Sequence, residues 1–455
     1  MSKMAKKALP RELGTFAAFI SPIVTSGRLY YGTVALLTGV VGLGLYAYST
    51  QLMDGLVVTG MRKVSWGVYI TNFVFFIGIS HAGTLISAIL RVTNTDWRRP
   101  VTRIAESITV FALIFGALSV IIDLGRPDRV LHLLIYADLS SPLIWDFISI
   151  TTYLTGSTIY LYLPLIPDIA ELRDTLSNSS RFKRWLYTIL ALGWRGTKTQ
   201  RARLEKGIKI MAVIIIPIAV SVHTVVSWVF SMTLRAGWHS TIFGPYFVVG
   251  AIYSGVASLI IAMAIFRRAY KLESYLTIKH FKYLGFMLLT LNIAYIYFTV
   301  SDFLTGFYGG QVDEVIYLNS LFTGGYAAEF WTFVVLGLIL PAFFVAIPRT
   351  RTVLGLTIAS IFVNIAMWYK RFIIVVPALA RPTMPGGEWA AYTPTWVELS
   401  ITAASVAGFA LLFLLFSKLF PIISMWEIRE GLEQAHDEEV LHSKSDARGA
   451  TAGGK

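Results

Sequence analysis

Residues 208–230 read IKIMAVIIIPIAVSVHTVVSWVF, a run that holds one charged side chain, Lys209, close to its start. An α-helix needs about 20 consecutive apolar residues to cross the roughly 30 Å hydrocarbon core of a bilayer. In that medium every backbone N–H and C=O must bond within its own segment, so a helix is the structure that such a run adopts. The stretch therefore predicts a transmembrane helix.

Nine further stretches of this kind lie on either side of it, which predicts an all-α polytopic membrane protein with ten transmembrane helices. The ten predicted spans are Tyr30–Ser49, Trp66–Leu90, Ile104–Ile122, Leu143–Leu163, Ile208–Phe230, Tyr246–Phe266, Tyr283–Val300, Phe330–Ile347, Leu354–Tyr369 and Leu399–Phe416.

The composition agrees with a membrane protein and excludes several other classes. Of the 455 residues 55% are apolar and 14% are charged, whereas a soluble domain is about 25% charged. The net charge of +13 resides in short clusters between the spans, so no nucleic-acid partner is expected. The chain has no cysteine, so it holds no disulfide, Cys-ligated zinc, iron–sulfur cluster or thioether haem of its own.

The distribution of lysine and arginine predicts the orientation. Of 39 such residues, 31 lie on the side of the N-terminus when the sides are counted alternately, and the positive-inside rule then places both termini in the cytoplasm. We expect a multi-pass protein of the bacterial cytoplasmic membrane. Its predicted parts are a cytoplasmic segment, 1–28, a membrane domain, 29–427, with a basic cytoplasmic loop, 167–209, and a charged, partly disordered tail, 428–455.

Ionisable groups inside a membrane are costly, so each is a functional candidate. His81 and His223 leave three interpretations open: ligands of one b-type haem, buried imidazoles bonded to backbone carbonyls, or members of a proton path. Hydroxyl groups in spans also have an alternative, because they bond back to carbonyls or hold helices together. The candidate proton path comprises His81, Glu106, His223, Tyr253, Tyr295, Asp302 and Asn364.

A quinone headgroup needs a donor to each carbonyl and a group that accepts a proton, at the membrane edge. The outer ends of the third to fifth spans offer both. We predict that His132 and Asp146 take up the protons released when a quinol is oxidised, and we expect no metal site. Arg126 and Asp128 are alternatively an ion pair that holds the loop. The candidate quinone-binding residues in these loops are Arg126, Asp128, Tyr136, Arg235, Trp238 and His239.

Several long motifs resemble the NrfD-like family, the membrane subunits of polysulfide-reductase-type oxidoreductases. Within that family the chain is most similar to the quinol-oxidising ActC-type subunits of alternative complex III. The resemblance covers nearly every span. It is carried by motifs that include ISHAGTLISAILR (79–91), DLGRPDRVLHLL (123–134), SPLIWDF (141–147) and MWYKRFIIVVPALA (367–380).

The resemblance implies two four-helix bundles, spans 2–5 and 6–9, with two flanking helices, and a quinone site on the outer side of the first bundle. The family's acidic residue in the WD motif falls on Asp146, its loop histidine on His132, and its basic residue in the KRF motif on Arg371. The resemblance thus adds Arg371 to the candidate quinone-binding residues. Related chains read SWDF where this one reads SWVF at 227–230, which removes one intramembrane acid. Any proton route drawn through that acid is therefore in doubt.

The resemblance also implies the partners and the reaction. We expect a subunit of a respiratory or photosynthetic complex that oxidises quinol, with menaquinol favoured, and that holds no haem itself. The expected partners are an extracytoplasmic iron–sulfur subunit, a second NrfD-like subunit, haem c subunits and small membrane subunits. The alternatives are a quinone-reducing anchor of a polysulfide, sulfite or hydrogenase enzyme, a proton-conducting subunit without a quinone site, and a secondary transporter with broken helices.

Overall fold

The structure is a computed structural model that describes residues 17–176, 180–382 and 387–432. Most of the predicted N-terminal segment and of the predicted C-terminal tail lies outside these residues. Fifteen α-helices occupy the described part of the chain: α1 (Ala17–Val24), α2 (Arg28–Asp54), α3 (Val68–Val92), α4 (Thr102–Asp123), α5 (His132–Ile135), α6 (Pro142–Thr175), α7 (Arg181–Leu190), α8 (Lys198–Ser231), α9 (Phe243–Ala269), α10 (Ile278–Gly309), α11 (Val312–Phe322), α12 (Ala327–Thr332), α13 (Leu340–Ala346), α14 (Val353–Ala380) and α15 (Trp396–Leu419).

Every predicted span coincides with a helix, and the described residues form no strand, so the all-helical membrane class is confirmed. In the described part, nine helical segments are long and apolar enough to cross a bilayer. The 34-residue helix α6 occupies the position of the predicted fourth span. A π-helical segment, Phe333–Ile339, joins α12 to α13, so these three pieces form one membrane-crossing rod.

The first bundle consists of α3, α4, α6 and α8, each packed against the next and α8 packed back on α3. Helix α3 is the most enclosed, since it also packs against α9 of the second bundle. Gly83 lies where α3 meets α4, and a Cβ at that position would overlap the carbonyl oxygen of Ala105. The close approach of these two helices therefore requires glycine.

The second bundle consists of α9, α10, the rod from α12 to α13, and α14. The π-helical segment leaves carbonyls without their usual α-helical partners. Asn292 Nδ2 donates to the carbonyl oxygens of Gly337 and Leu338, 3.1 and 3.3 Å away, and the Tyr253 hydroxyl donates to Gly337 O at 2.7 Å. Two side chains from neighbouring helices thus satisfy the π-helical segment, and the two predicted four-helix bundles are both present.

Helices α2 and α15 pair with each other at the side of the first bundle, where α15 packs against α4. We call one end of the membrane domain the aromatic face (segments 55–67, 124–141, 232–242, 310–326 and 387–395) and the other end the basic face (segments 93–101, 180–197, 270–277, 347–352 and 420–432). The positive-inside prediction assigns the basic face to the cytoplasm.

A buried ion pair and two backbone hydrogen bonds hold the segment after α15 against the basic face of the first bundle. The carboxylate of Asp168 pairs with Arg103 and accepts hydrogen bonds from the backbone N–H groups of Met425 and Trp426, at 3.0 and 2.9 Å. Both side chains of the ion pair are almost fully buried. The segment after α15 is therefore part of the membrane domain rather than a free tail.

Candidate functional site

Asp146 lies in the second turn of α6, at the aromatic face of the first bundle. Pro142 starts this helix, and Trp145 Nε1 donates to the carbonyl oxygen of Leu139 at 2.6 Å, which fixes the preceding loop against the helix. The Oδ1 atom of Asp146 is buried and has no hydrogen-bond partner in the part of the chain that the structure describes. A buried carboxylate oxygen without a partner is a candidate for contact with a ligand or for proton transfer, and Asp123 Oδ1 and Glu329 Oε2 share this state among the described residues.

His132 and Tyr136 lie at the two ends of the short helix α5. Both side chains are exposed, and their rings are in an edge contact with centroids 5.4 Å apart. Large apolar side chains around them are exposed as well, among them Leu131, Ile135 and Leu139. This part of the aromatic face is thus an apolar surface that carries an imidazole and a phenol.

Arg126 and Asp128 form a bidentate ion pair with distances of 3.0 and 2.8 Å. Both side chains are more than half exposed, and exposed pairs of this kind contribute about 0–1 kcal/mol. The pair joins two residues of the same loop, which is the arrangement that the ion-pair interpretation of the sequence predicts.

Trp238 and Arg235 hold their loop to the second bundle. Trp238 is buried, its ring stacks on that of Trp66 at 5.9 Å, and its Nε1 donates to the carbonyl oxygen of Ile374 at 2.6 Å. Arg235 donates to the carbonyl oxygen of Arg381 at 3.4 Å. The ring N–H of Trp238 is thus bonded to the backbone and is not available as a donor to a quinone carbonyl.

His239 opens onto a cavity of about 330 Å³ at the aromatic face of the second bundle. The Asp302 carboxylate accepts a hydrogen bond from Ser240 at 2.8 Å, and Glu314 accepts one from the N–H of Gly237 at 2.8 Å. Burial raises the pKa of Glu314, although the Gly237 bond acts in the opposite direction. The cavity also reaches the buried side chain of Lys370, and it has room for several water molecules.

Lys370 and Arg371 follow each other on α14, and both are buried. Lys370 Nζ lies 5.0, 5.0 and 5.4 Å from the ring centroids of Tyr246, Phe303 and Phe333. Arg371 contacts the Met367 sulfur at 3.6 Å and interacts with the hydroxyl of Tyr295. The structure thus places Arg371 inside the helix packing, among the proton-path candidates, and not among the aromatic-face loops with which the resemblance groups it.

The two intramembrane histidines lie against each other. The ring centroids of His81 and His223 are 4.2 Å apart, and neither side chain is exposed. His81 Nδ1 lies 2.8 Å from the carbonyl oxygen of Ile77, and its Nε2 lies 2.5 Å from that of Ala219 on α8. Both nitrogens of His223 lack a partner among the described residues. His81 therefore follows the carbonyl-bonded interpretation, whereas His223 shows no such bond within the described part of the chain.

Glu106 belongs to a polar cluster that leads to the basic face. It accepts from the Ser87 hydroxyl at 2.6 Å, and that hydroxyl lies 3.2 Å from the hydroxyl of Tyr160. Arg91 Nε donates to the Tyr160 hydroxyl at 3.3 Å, and Arg91 also pairs with Glu427 at 2.5 Å. The cluster thus joins a buried acid in the membrane to an ion pair at its edge.

Two other proton-path candidates have structural partners. The hydroxyl of Tyr253 is used by the π-helical segment, and Asn364 Oδ1 accepts from Ser258 at 3.1 Å. Both residues follow the alternative in which polar groups hold membrane helices together.

Sequence reasoning misses three residues that the structure brings into the site region. Lys370 lies one residue beyond the predicted ninth span, although a buried lysine is a candidate by the same rule that selects the other residues. Tyr246 gives no signal of its own in an aromatic-rich stretch. Glu427 reads as the start of a charged tail, and its partners Arg91 and Arg98 are more than 300 positions away.

Comparison with known proteins agrees with this architecture. The family model described as "Polysulphide reductase, NrfD" matches residues 57–383, which include both bundles up to the end of α14. The chain is 33% identical over 244 residues to a protein of Halobacterium salinarum assigned as a membrane subunit of dimethyl sulfoxide reductase, a match that covers 53% of this chain and 52% of the relative.

Two relatives match along almost their whole length. A selenate reductase subunit of Mesobacillus selenatarsenatis is 26% identical over 439 residues, or 92% of this chain and 99% of the relative. The Hdr-like menaquinol oxidoreductase integral membrane subunit of Archaeoglobus fulgidus is 26% identical over 424 residues, or 89% of this chain and 96% of the relative. The likeness therefore extends over both bundles and the flanking helices.

Proposed function

This chain belongs to the NrfD, or polysulphide reductase, family, and from that premise we propose that it is the quinone-reactive membrane subunit of an oxidoreductase complex. The name of the Archaeoglobus relative includes menaquinol, which supports a quinol as the substrate. The absence of cysteine from the chain supports partners that carry the redox centres. The proposed complex resembles alternative complex III, with an iron–sulfur subunit on the aromatic face, a second NrfD-like subunit, haem c subunits and small membrane subunits.

The observation that carries the proposal is the buried Oδ1 of Asp146 at the aromatic face, which has no hydrogen-bond partner among the described residues. In the proposed reaction a menaquinol lies between Asp146 and the apolar surface around His132. One quinol hydroxyl gives its proton to the Asp146 carboxylate and the other to the His132 imidazole. Two electrons leave toward an iron–sulfur cluster of the partner, and the product is the quinone.

The further binding residues of this proposal are Tyr136 and, at the rim, Arg126, Asp128, Arg235 and His239. In the predicted orientation the aromatic face is periplasmic, so the two protons are released outside the cytoplasm. The same groups serve the reverse reaction, in which a quinone takes up two protons and two electrons. A quinone-reducing anchor is therefore the second candidate, and the identity of the partner subunits distinguishes the two.

The test uses the complex purified in mild detergent, with its subunits identified by mass spectrometry. Asp146→Asn and His132→Ala are compared with wild type for quinol oxidation and for bound quinone. Asp138→Asn is the matched control, because Asp138 is an exposed carboxylate in the same loop that bonds to Ser140. We expect at least a tenfold loss of turnover in the two site variants, in line with the contribution of general base catalysis. Normal turnover in both variants contradicts the site.

A further inference from the structure

The cavity of about 330 Å³ lies in the second bundle, whereas the Asp146 site lies in the first. It is bounded by the start of α9, the end of α10, the helix α11 and α14. Binding sites for small molecules typically have volumes of roughly 300–1,000 Å³. The cavity is therefore large enough to take the ring of a small molecule.

The ammonium group of Lys370 lines this cavity without an acceptor. The side chain is only 3% exposed, and among the described residues it has no hydrogen-bond acceptor and no ion-pair partner. The centroids of three aromatic rings lie within 5.4 Å of its Nζ atom, and these rings attract its positive charge. An ammonium carries three N–H donors, and a buried donor without an acceptor is costly. The cavity is the space from which a ligand can supply that acceptor.

Asp302 offers the complementary group from α10. Its carboxylate accepts one hydrogen bond from the described residues, that of the Ser240 hydroxyl at 2.8 Å. Its charge attracts Lys370, yet the two side chains form no direct ion pair. A donor and an acceptor thus line one cavity without bonding to each other. They suit a ligand that accepts a hydrogen bond with one oxygen and donates one from another.

Aromatic and aliphatic side chains complete the lining. Phe243, Phe303 and Ile374 are among them. Tyr317 also lines the cavity, but its hydroxyl donates to the carbonyl oxygen of Ile373 at 3.0 Å. This residue therefore contributes the surface of its ring rather than a hydrogen-bond donor. The lining favours a flat, largely apolar ring with a few polar atoms at its edge.

The end of α10 gives access to the cavity from the bilayer. This helix is one of the candidate membrane spans, and Gly306 and Gly309 on it line the cavity. A Cβ at position 309 would meet nothing within 4 Å. Leu304 and Tyr308, in the same part of α10, are 63% and 92% exposed. A ligand with a long apolar tail can therefore place its ring in the cavity and leave the tail along α10 in the lipid.

We propose that this cavity binds the headgroup of a second quinone, separate from the quinol at Asp146. A carbonyl oxygen of the headgroup accepts a hydrogen bond from the Lys370 ammonium, and in the quinol form a hydroxyl donates to the Asp302 carboxylate. The rings of Phe303 and Tyr317 supply its apolar surroundings. The choice of a quinone rests on the proposed function, which supplies a lipid-soluble ligand with this pattern of oxygen atoms.

The test is photoaffinity labelling of the complex, purified in mild detergent, with an azido-menaquinone, followed by mass spectrometry of the peptides. In wild type we expect label within residues 301–318, reduced by an excess of unlabelled menaquinone, and label within residues 132–146. Lys370→Met removes the donor at similar side-chain volume. It is expected to lower the label in 301–318 at least fivefold and to leave that in 132–146 within twofold of wild type. Lys279→Met is the matched control, because Lys279 also lies over a tyrosine ring, that of Tyr283, but at the opposite end of α10.

Lys370→Gln separates loss of the donor from a change in packing, because its amide retains N–H groups, and its label in 301–318 is expected to stay within threefold of wild type. The second site is overturned by a wild type without label in 301–318, or by label there that excess menaquinone does not reduce. It is also overturned by equal label in Lys370→Met and Lys279→Met, or by a loss in Lys370→Gln as large as in Lys370→Met. If Lys370→Met does not assemble, the wild-type label decides. Label in 301–318 alone contradicts the Asp146 site and supports the second site, whereas label in 132–146 alone does the reverse.

Discussion

The imidazole rings of His81 and His223 pack against each other with centroids 4.2 Å apart, yet their hydrogen bonding is unequal. His81 reaches carbonyl oxygens on two helices, Ile77 O on α3 and Ala219 O on α8, whereas both ring nitrogens of His223 are without partners among the described residues. One ring therefore ties the helices together, and the other leaves its polar atoms available.

This inequality predicts different effects on stability. His81→Leu removes the ring N–H that donates to one of these two carbonyl oxygens and is expected to lower the free energy of unfolding by about 1 kcal/mol, the net value of a buried hydrogen bond. His223→Leu is expected to lower it less, because the described residues make no hydrogen bond to that ring. The unfolding temperatures of the two purified variants in detergent, each compared with wild type, measure this difference. A larger loss in His223→Leu contradicts the assignment.

Glu427 gives a prediction for the dependence of stability on pH. Burial raises the pKa of this carboxyl, but the charges of Arg91 and Arg98 outweigh the effect and hold the pKa below its ordinary value. A carboxyl with a lowered pKa in the folded state stabilises the protein above its unfolded pKa, and the stabilisation is lost as the pH falls through the folded value. We expect an unfolding temperature that is level near neutral pH and falls under acid conditions.

Glu427→Gln is the variant that tests this source of stability. It leaves two arginines beside a neutral side chain, and breaking a buried ion pair costs about 3–5 kcal/mol. The variant is expected to unfold at a lower temperature than wild type at neutral pH and to show a weaker acid dependence. If both proteins give parallel curves, Glu427 is not the group that titrates.

Gly83 and Gly39 form a matched pair for helix packing. A Cβ at position 83 would overlap the Ala105 carbonyl, whereas a Cβ at position 39, in α2, meets nothing within 4 Å. Gly39→Ala is expected to be neutral or to stabilise by up to about 1 kcal/mol, because alanine has the higher helix propensity. Gly83→Ala is expected to separate α3 from α4 and to reduce the yield of folded protein sharply. Equal yields contradict this packing.

Asn292 is predicted to be essential for the π-helical segment. Its Nδ2 donates to two carbonyl oxygens of that segment and to the Tyr253 hydroxyl. Asn292→Leu removes the donor to these acceptors. It is expected to lower the free energy of unfolding by about 2 kcal/mol, the cost of leaving a buried acceptor without a partner. Asn364→Leu is the control, since Asn364 accepts one bond, from Ser258, and is only partly buried. Chemical unfolding of both variants compares them, and an equal loss refutes the special role of Asn292.

The sequence predicts the helices well because apolar length is a local property. It predicts their ends poorly, since a hydropathy window stops at the first charge while the helix continues. The ninth span ends at Tyr369 in the prediction, but α14 runs to Ala380 and takes Lys370 and Arg371 into the packed interior. There Lys370 lies over three aromatic rings and Arg371 interacts with a tyrosine hydroxyl. No local sequence pattern predicts these contacts.

The sequence predicts which residue types occur in the candidate site, but it does not predict how they are arranged in space. Asp146 lies where an interfacial acid is expected, because a carboxylate at the start of a span is visible in the sequence. The use of the Trp238 and Tyr253 donors by backbone carbonyls is not visible there, since Ile374 and Gly337 are 136 and 84 positions away. Such long-range pairings arise from the packing of the two bundles.

The contacts of Asp168 constrain the order in which the membrane domain can be completed during synthesis. Arg103 and Asp168 leave the ribosome early, but the N–H groups of Met425 and Trp426 that complete the bonding of this carboxylate are made after the last membrane helix. The first bundle therefore enters the bilayer before these two N–H donors exist. They become available only after the second bundle has been synthesised. Closure of the first bundle therefore follows the synthesis of the second bundle, and a chain truncated before residue 425 lacks two of the donors to the Asp168 carboxylate.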